Sequence, residues 1–124
     1  MASNVIRLVI ADDHDAVRHS LRMVMETYDD IEVVGEAANG KEAVELCERL
    51  QPDLVLMDLK MPVMDGVTAT KLIRQQFPHI RVLVLTSGID MDMITAALLA
   101  GAQGYLEKHV NIDVLTKAMW AAIA

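Results

Sequence analysis

Two aspartates, Asp12 and Asp13, stand side by side where the apolar run Val5–Ala11 ends. Adjacent carboxylates repel, and burial at a strand end sharpens the repulsion. Three later apolar runs also close on polar groups. Asp58 follows Leu54–Met57, Thr86-Ser87 closes Arg81–Thr86, and Lys108 follows Gly104–Glu107. Asp12, Asp13 and Asp58 make an oxygen-donor set of the type magnesium prefers, with coordination left over for water and a phosphate. Such a cation would relieve the repulsion. Lys108 adds a point charge suited to a phosphoryl oxygen, and Thr86 adds a hydroxyl donor. This is equipment for holding a phosphoryl group, a chemistry that rests mostly on positioning and charge neutralisation. An aspartate in such a site can also be the nucleophile and form an acyl phosphate. Taken singly, each residue has an ordinary explanation: a solvated turn, a helix cap, a surface lysine, a strand end. Their joint occurrence at four strand ends is what points to a site.

The elements that must position them follow from hydropathy. Five runs rich in Val, Ile and Leu recur: Val5–Ala11, Ile31–Ala37, Leu54–Met57, Arg81–Thr86 and Gly104–Glu107. Four of the five are near-continuous rather than alternating, which predicts strands covered on both faces. Helical patterns separate them. The first spans Asp15–Tyr28, with Val17, Leu21, Val24 and Tyr28 on the apolar stripe and Arg18 and Arg22 off it. The second spans Lys41–Leu50, with Ala43, Cys47 and Leu50 inward, between Asn39-Gly40 and Gln51-Pro52. The third runs from Gly66 to Gln76 and stops before Pro78. The fourth covers Asp90–Ala100, with Ile94, Ala97 and Leu98 inward and Gly101 as its C-terminal cap. The fifth starts at the N-cap Asn111 and runs to the end of the sequence.

A fivefold strand–helix alternation implies right-handed crossovers and a parallel sheet with helices on both faces, an α/β fold. Ligands of such sheets bind at the carboxyl ends of the strands, where the polar residues fall. The second strand ends in "EAANG", with nothing comparable.

Composition narrows the classes. The 124 residues suit one compact domain, 53% of them hydrophobic and only 3% aromatic, so the core is aliphatic. A formal charge of −7 argues against gripping nucleic acid or an anionic membrane directly. No membrane-length run and no signal peptide is apparent, so the expected location is cytoplasmic. The single Cys47 excludes an internal disulfide and falls on a helical apolar stripe, as a core residue. The four histidines lack ligand spacing on a common element. His14, beside the acidic pair, is expected at the surface.

"IADDH", "LVLMDLKMPVMDG", "VLVLTS" and "AGAQGYLEK" together resemble the receiver domain of bacterial two-component response regulators, in order, spacing and nearly full length. "IEVVGEAANGKEAVEL" further resembles the LuxR/NarL-type subgroup, which usually carries a C-terminal helix-turn-helix DNA-binding domain. The resemblance implies that residues 1–124 form one flavodoxin-like (βα)5 receiver with strand order 2-1-3-4-5, the N-terminal part of a longer protein. It implies that Asp58 accepts a phosphoryl group from a sensor histidine kinase. Asp13, Asp58 and the backbone carbonyl of Lys60 would ligate Mg2+, with Asp12 acting mainly through water. Thr86 would hydrogen-bond the phosphoryl group, Lys108 would pair with it, and Tyr105 matches the aromatic switch position. A homodimer is a further expectation, and DNA would be met only through the C-terminal domain.

Some positions depart from the commonest family pattern. Val63 stands where glycine is frequent, His109 where proline is frequent, and Glu107 where leucine is common. Met61-Pro62 and Asp65-Gly66 are expected to shape the loop after Asp58, with Gly66 supplying a backbone conformation that other residues resist. The resemblance implies that Lys60 and Gly88 fall at variable positions that influence attack of water on the acyl phosphate, and Gly88, with no side chain to position that water, predicts slow self-dephosphorylation. The main alternative is a magnesium-dependent aspartyl-phosphate phosphatase of haloacid dehalogenase type. That family wants a second aspartate two residues after the nucleophile, where this chain has Lys60. A nucleotide- or flavin-binding module would want a glycine-rich loop after the first strand instead of "ADDHDAV".

Overall fold

The computed structural model describes residues 4–88 and 90–124. The reading of Met1-Ala2-Ser3 as no part of a signal peptide lies outside the described residues. Five strands and five helices alternate: β1 Ile6–Ala11, α1 Asp15–Met25, β2 Ile31–Ala37, α2 Gly40–Leu50, β3 Leu54–Met57, α3 Gly66–Gln76, β4 Arg81–Thr86, α4 Met91–Leu99, β5 Gly104–Glu107 and α5 Ile112–Ile123. The strands are parallel in the order β2-β1-β3-β4-β5, the expected flavodoxin-like arrangement.

Side chains alternate across the sheet, so each central strand feeds two cores. Ile6, Leu8 and Ile10 of β1, Leu54 and Leu56 of β3, and Leu83 and Leu85 of β4 face α1 and α5, where Met25, Leu115 and Met119 meet them. Val9, Ala11, Val55, Met57 and Val82 face the other way, against Ala43 and Cys47 of α2 and Ala69 and Ile73 of α3. Burial on both faces explains the near-continuous apolar runs of β1, β3 and β4. The edge strands β2 and β5 are only partly covered, so three strands rather than four meet that description. Cys47 is fully buried, and burial pushes its thiol up to about 12.

Two helical stripes differ from the reading of the sequence. In α1 the buried residue is Met25, while Val24 is 40% exposed. The helix also ends at Met25 rather than Tyr28, because the Thr27 hydroxyl donates to the Val24 carbonyl (2.6 Å) and draws the last turn out of α-geometry. In α4, Leu98 is 39% exposed and only Ile94 and Ala97 are buried. Each helix meets the sheet along one narrow stripe, α1 on the face it shares with α5 and α4 on the opposite face beside α3, and the adjacent position is left to solvent.

Local chemistry sets the other boundaries. The side chains of Asn39, Asp65, Asp90 and Asn111 each accept a backbone N–H at the start of a helix. Gly101, at φ +115°, follows the last residues of α4 as the left-handed stop.

Candidate functional site: an acidic cluster at the carboxyl edge of the sheet

Parallel registry brings the strand ends together. Ala11 pairs with Ala37 on one side and with Met57 on the other, Met57 pairs with Val84, and Thr86 pairs with Glu107. Backbone bonds continue past the strands: Asp12 N–H donates to Ala37 O, Asp58 N–H to Ala11 O and Lys108 N–H to Thr86 O, at 2.8–2.9 Å. Asp12, Asp13, Asp58, Thr86 and Lys108 therefore share one edge because the ladder places them there.

At the centre is an ammonium group. Lys108 Nζ lies 2.7 Å from Asp12 Oδ2 and 3.2 Å from Asp58 Oδ2, with its side chain only 6% exposed. In this conformation Lys108 itself neutralises the buried carboxylates of two different strands. The second Asp58 oxygen, Oδ1, accepts the Leu59 N–H at 2.9 Å. Burial pushes the Asp58 carboxyl above its ordinary value. Asp12 adds to the rise, and Lys108 and the Leu59 N–H oppose it. For Lys108, burial alone would lower the pKa, but the hydrogen bond to Asp12 and the charges of Asp58 and Asp12 outweigh it and the net shift is upward.

Asp13 is the member without a settled partner. Its Oδ1 is buried and makes no hydrogen bond, and the His14 ring nitrogen Nδ1 lies 3.3 Å away. Asp12, Asp13, His14 and Asp58 each present one ligand atom, all within 4.8 Å of one another. A buried, unpaired carboxylate oxygen in such a group fits a divalent cation. Sequence reasoning set His14 at the surface. Its ring is indeed 64% exposed, but Nδ1 reaches both Asp12 (3.2 Å) and Asp13, and its N–H donates to Asp12 Oδ1 (2.8 Å). The spacing Asp-Asp-His after a strand was the available signal.

The remaining expected residues lie around this centre. Thr86 Oγ1 donates to the Gly88 carbonyl (3.3 Å), not to Asp58. Lys60 is exposed and sits 4.0 Å from Asp90 across the mouth of the pocket that Asp58, Thr86, Ser87 and Gly88 line. Tyr105 is 42% exposed, so its ring is not buried beneath Thr86. Glu107 faces solvent and away from the crevice. The Lys108–His109 bond is trans.

The loop after Asp58 shows why its residues are what they are. Val63 has φ +67°, the left-handed conformation in which a β-branched residue is strained. The glycine common there would be unstrained. Gly66 is a different case from the one expected, because its φ is not positive. A Cβ at Gly66 would run into the Asp58 carbonyl and approach Leu59 Cα to 2.9 Å, so glycine is needed for close approach. Gly66 N–H donates to Leu59 O (2.8 Å) and ties α3 to the loop that carries Asp58.

The end of β2 is not as empty as its sequence suggested. Glu36 receives Arg18 Nε (3.0 Å) and Arg22 Nη1 (2.8 Å), and Arg18 Nη1 also donates to the Asp12 carbonyl (2.7 Å). Helical periodicity placed Arg18 and Arg22 off the apolar stripe, and nothing in that pattern shows a partner on β2.

Comparison with known proteins agrees with this geometry. Residues 8–119 match the family model described as response regulator receiver domain. The uncharacterized transcriptional regulatory protein YhcZ of Bacillus subtilis is 52% identical over 112 residues, covering 90% of this chain and 52% of that protein. The response regulator protein VraR of Staphylococcus aureus is 48% identical over 114 residues, covering 92% of this chain and 54% of VraR. The chain thus spans about half the length of the curated relatives it matches. Among solved structures, the receiver domain of the putative response regulator NarL from Mycobacterium tuberculosis superposes with a TM-score of 0.90 at 31% identity, covering 96% of each chain. A LuxR-family two-component response regulator from Aurantimonas sp. SI85-9A1 gives 0.89 at 35% identity, covering 96% of this chain and 85% of that one. The phosphatase alternative finds no support in these matches, and Lys60 stands where it needs an acid.

Proposed function

Because the chain belongs to the response regulator receiver domain family, we propose that Asp58 takes a phosphoryl group from a phosphohistidine of a sensor kinase. The observation that carries this reading is the Asp58 carboxylate, buried yet held between Lys108 and the Leu59 N–H beside the ligand atoms of Asp12, Asp13 and His14. An Asp58 oxygen attacks phosphorus. A P–O bond forms and the P–N bond of the phosphoimidazole breaks; the departing nitrogen keeps the electron pair, and the ring, already protonated on its other nitrogen, leaves as neutral imidazole. Asp13, Asp58 and the Lys60 carbonyl would hold Mg2+, with Asp12 assisting beside them, and the bound ion would supply charge neutralisation for the transferring phosphoryl oxygens.

The chain's own residues then respond. Phosphorylation converts one carboxylate into a group with more charge and more acceptor oxygens. Lys108 exchanges its bond to Asp58 Oδ2 for a phosphoryl oxygen. Thr86 gives up the long 3.3 Å bond to Gly88 O for a stronger acceptor. Its movement vacates space for Tyr105, which turns inward from its exposed position. The face formed by β4, α4, β5 and α5 changes, and a partner that prefers the new shape reads the signal. The relatives' names, transcriptional regulatory proteins among them, support a transcriptional output; the same reading gives the protein a C-terminal helix-turn-helix domain, a place in the cytoplasm and a homodimeric state. Among the described residues, no helix is long and apolar enough to cross a membrane. Gly88 has open space where a side chain would stand, leaving nothing there to orient water, so self-dephosphorylation is slow. A phosphoryl half-life of seconds with magnesium present would contradict that.

The test is the intact mass after incubation with acetyl phosphate and magnesium. One phosphoryl group is gained, and the gain is lost with Asp58→Asn and with chelator. Gain in the Asp58→Asn variant would refute the acceptor assignment. Cation binding itself is followed by calorimetry. Trp120 lines a pocket with Val5, Asp53, His79 and Arg81, at the opposite end of the strands, and is too remote to report directly.

A further inference from the structure

The acidic pair must sit at a fixed height above the sheet, yet only Asp12 N–H is tied by the ladder. The Asp12 carbonyl leads into Asp13, and its partner is a side chain from the next helix. Arg18 is 11% exposed and its guanidinium has three separate acceptors: Nη1 to Asp12 O (2.7 Å), Nη2 to Asp15 Oδ1 (2.7 Å) and Nε to Glu36 Oε1 (3.0 Å). A planar fork with three anchored edges has no freedom left, unlike a single flexible ammonium.

Glu36 reaches this position through an irregularity in β2. Val33 pairs with Leu8, but Gly35 pairs with Val9, so Val34 is an extra residue. Without it Glu36 would pair with Ala11 and face α2 and α3. With it Glu36 pairs with Ile10 and shares the face of α1, where Arg18 and Arg22 lie. Burial would raise the Glu36 pKa, but the bonds from Arg22 and Arg18 hold it below the ordinary carboxylate range. Glu36 is therefore a charged anchor at neutral pH.

We infer that Arg18, anchored by Glu36, is a positioning residue for the acidic pair, holding the Asp12 carbonyl so that Asp12 and Asp13 present their oxygens to a divalent cation. Arg18 touches the backbone of the pair and none of its carboxylate oxygens, so it directs the ligands without competing for them. The inference rests on the magnesium reading proposed above.

Geometry and charge predict opposite signs for its removal. Arg18 is a positive charge near a cation site, and as a mere neighbour its neutralisation would tighten magnesium binding, by roughly twofold in salt. As a positioning residue its loss weakens binding, by roughly tenfold, as loss of outer-shell partners commonly does. The experiment is calorimetric titration of the chain with MgCl2 at fixed ionic strength, for wild type, Arg18→Met and Arg18→Lys. Weaker binding by both variants is expected, since lysine keeps the charge but cannot hold three acceptors. In acetyl phosphate labelling, the variants need correspondingly more magnesium yet reach the wild-type stoichiometry. Unchanged or tighter binding by Arg18→Met overturns the inference while leaving the magnesium reading intact. If Arg18→Met does not fold, Arg18→Lys decides alone by the same criterion. Absence of binding by wild type would overturn the magnesium reading and this inference with it.

Discussion

Replacing Lys108 by methionine tests the electrostatic account of the site. Its ammonium touches Asp12 at 2.7 Å and Asp58 at 3.2 Å, and all three side chains are at most 6% exposed. At an effective dielectric of about 20, each contact is worth roughly 5 kcal/mol before desolvation. Breaking a buried pair by removing one partner costs about 3–5 kcal/mol net. The site opens toward solvent on the exposed His14 side, which favours the lower end, about 3 kcal/mol. For a domain of this size that is a fall of roughly 10 °C in Tm. The pH dependence has a definite sign. Lys108 has a raised pKa, so its contribution is fully present below its unfolded value and is lost only as pH rises through the higher folded value. Asp58 is also raised, so its ionisation disfavours the folded state. Stability falls as pH rises from the ordinary carboxylate value of about 3.9 through the folded one. Without Lys108 that window extends upward, and the deficit of Lys108→Met shrinks as pH is lowered through it. Magnesium at a hundredfold excess over its Kd restores about 2.7 kcal/mol. Wild type gains less, because Lys108 must first leave its carboxylates. The assay is scanning calorimetry in chelator and in magnesium across pH. A loss indifferent to both would refute the reasoning, since it would show lost packing rather than unpaired charge.

Three further predictions concern the acceptor and its loop. Asp58→Asn removes a carboxylate whose ionisation disfavours the folded state and leaves Lys108 paired with Asp12, so in chelator at neutral pH the variant is at least as stable as wild type; denaturant unfolding measures this, and a destabilised variant would contradict it. Gly66→Ala forces a Cβ onto the Asp58 carbonyl and loses about 3 kcal/mol or distorts the acceptor loop, visible as a lower unfolding midpoint together with slower acetyl phosphate labelling. Val63→Gly relieves the strain of φ +67° at an exposed site, a gain of about 1–2 kcal/mol set against the greater chain entropy of unfolded glycine; thermal melts should show a net rise of up to a few degrees, and a clear fall would argue against strain there.

The sequence by itself determined the elements and the convergence of the site. Strand bounds at Ile31–Ala37, Leu54–Met57, Arg81–Thr86 and Gly104–Glu107 and the helix Gly66–Gln76 are all observed as read. Hydropathic period, caps and proline are local signals, and local signals set local boundaries. Parallel topology then obliges residues after successive strands to share an edge, so the strand pattern alone groups Asp12, Asp13, Asp58, Thr86 and Lys108. Tertiary structure decided what lies between those points. That the Lys108 ammonium spans Asp12 and Asp58 depends on side-chain reach across two strands. Gly66 is required by the Asp58 carbonyl at the far end of the same loop, not by its own torsion. Glu36 faces Arg18 only because one extra residue in β2 flips the register, a change invisible to a period-two pattern. Contacts between residues distant in sequence depend on registry and crossing geometry, and these are properties of the packed sheet rather than of any segment.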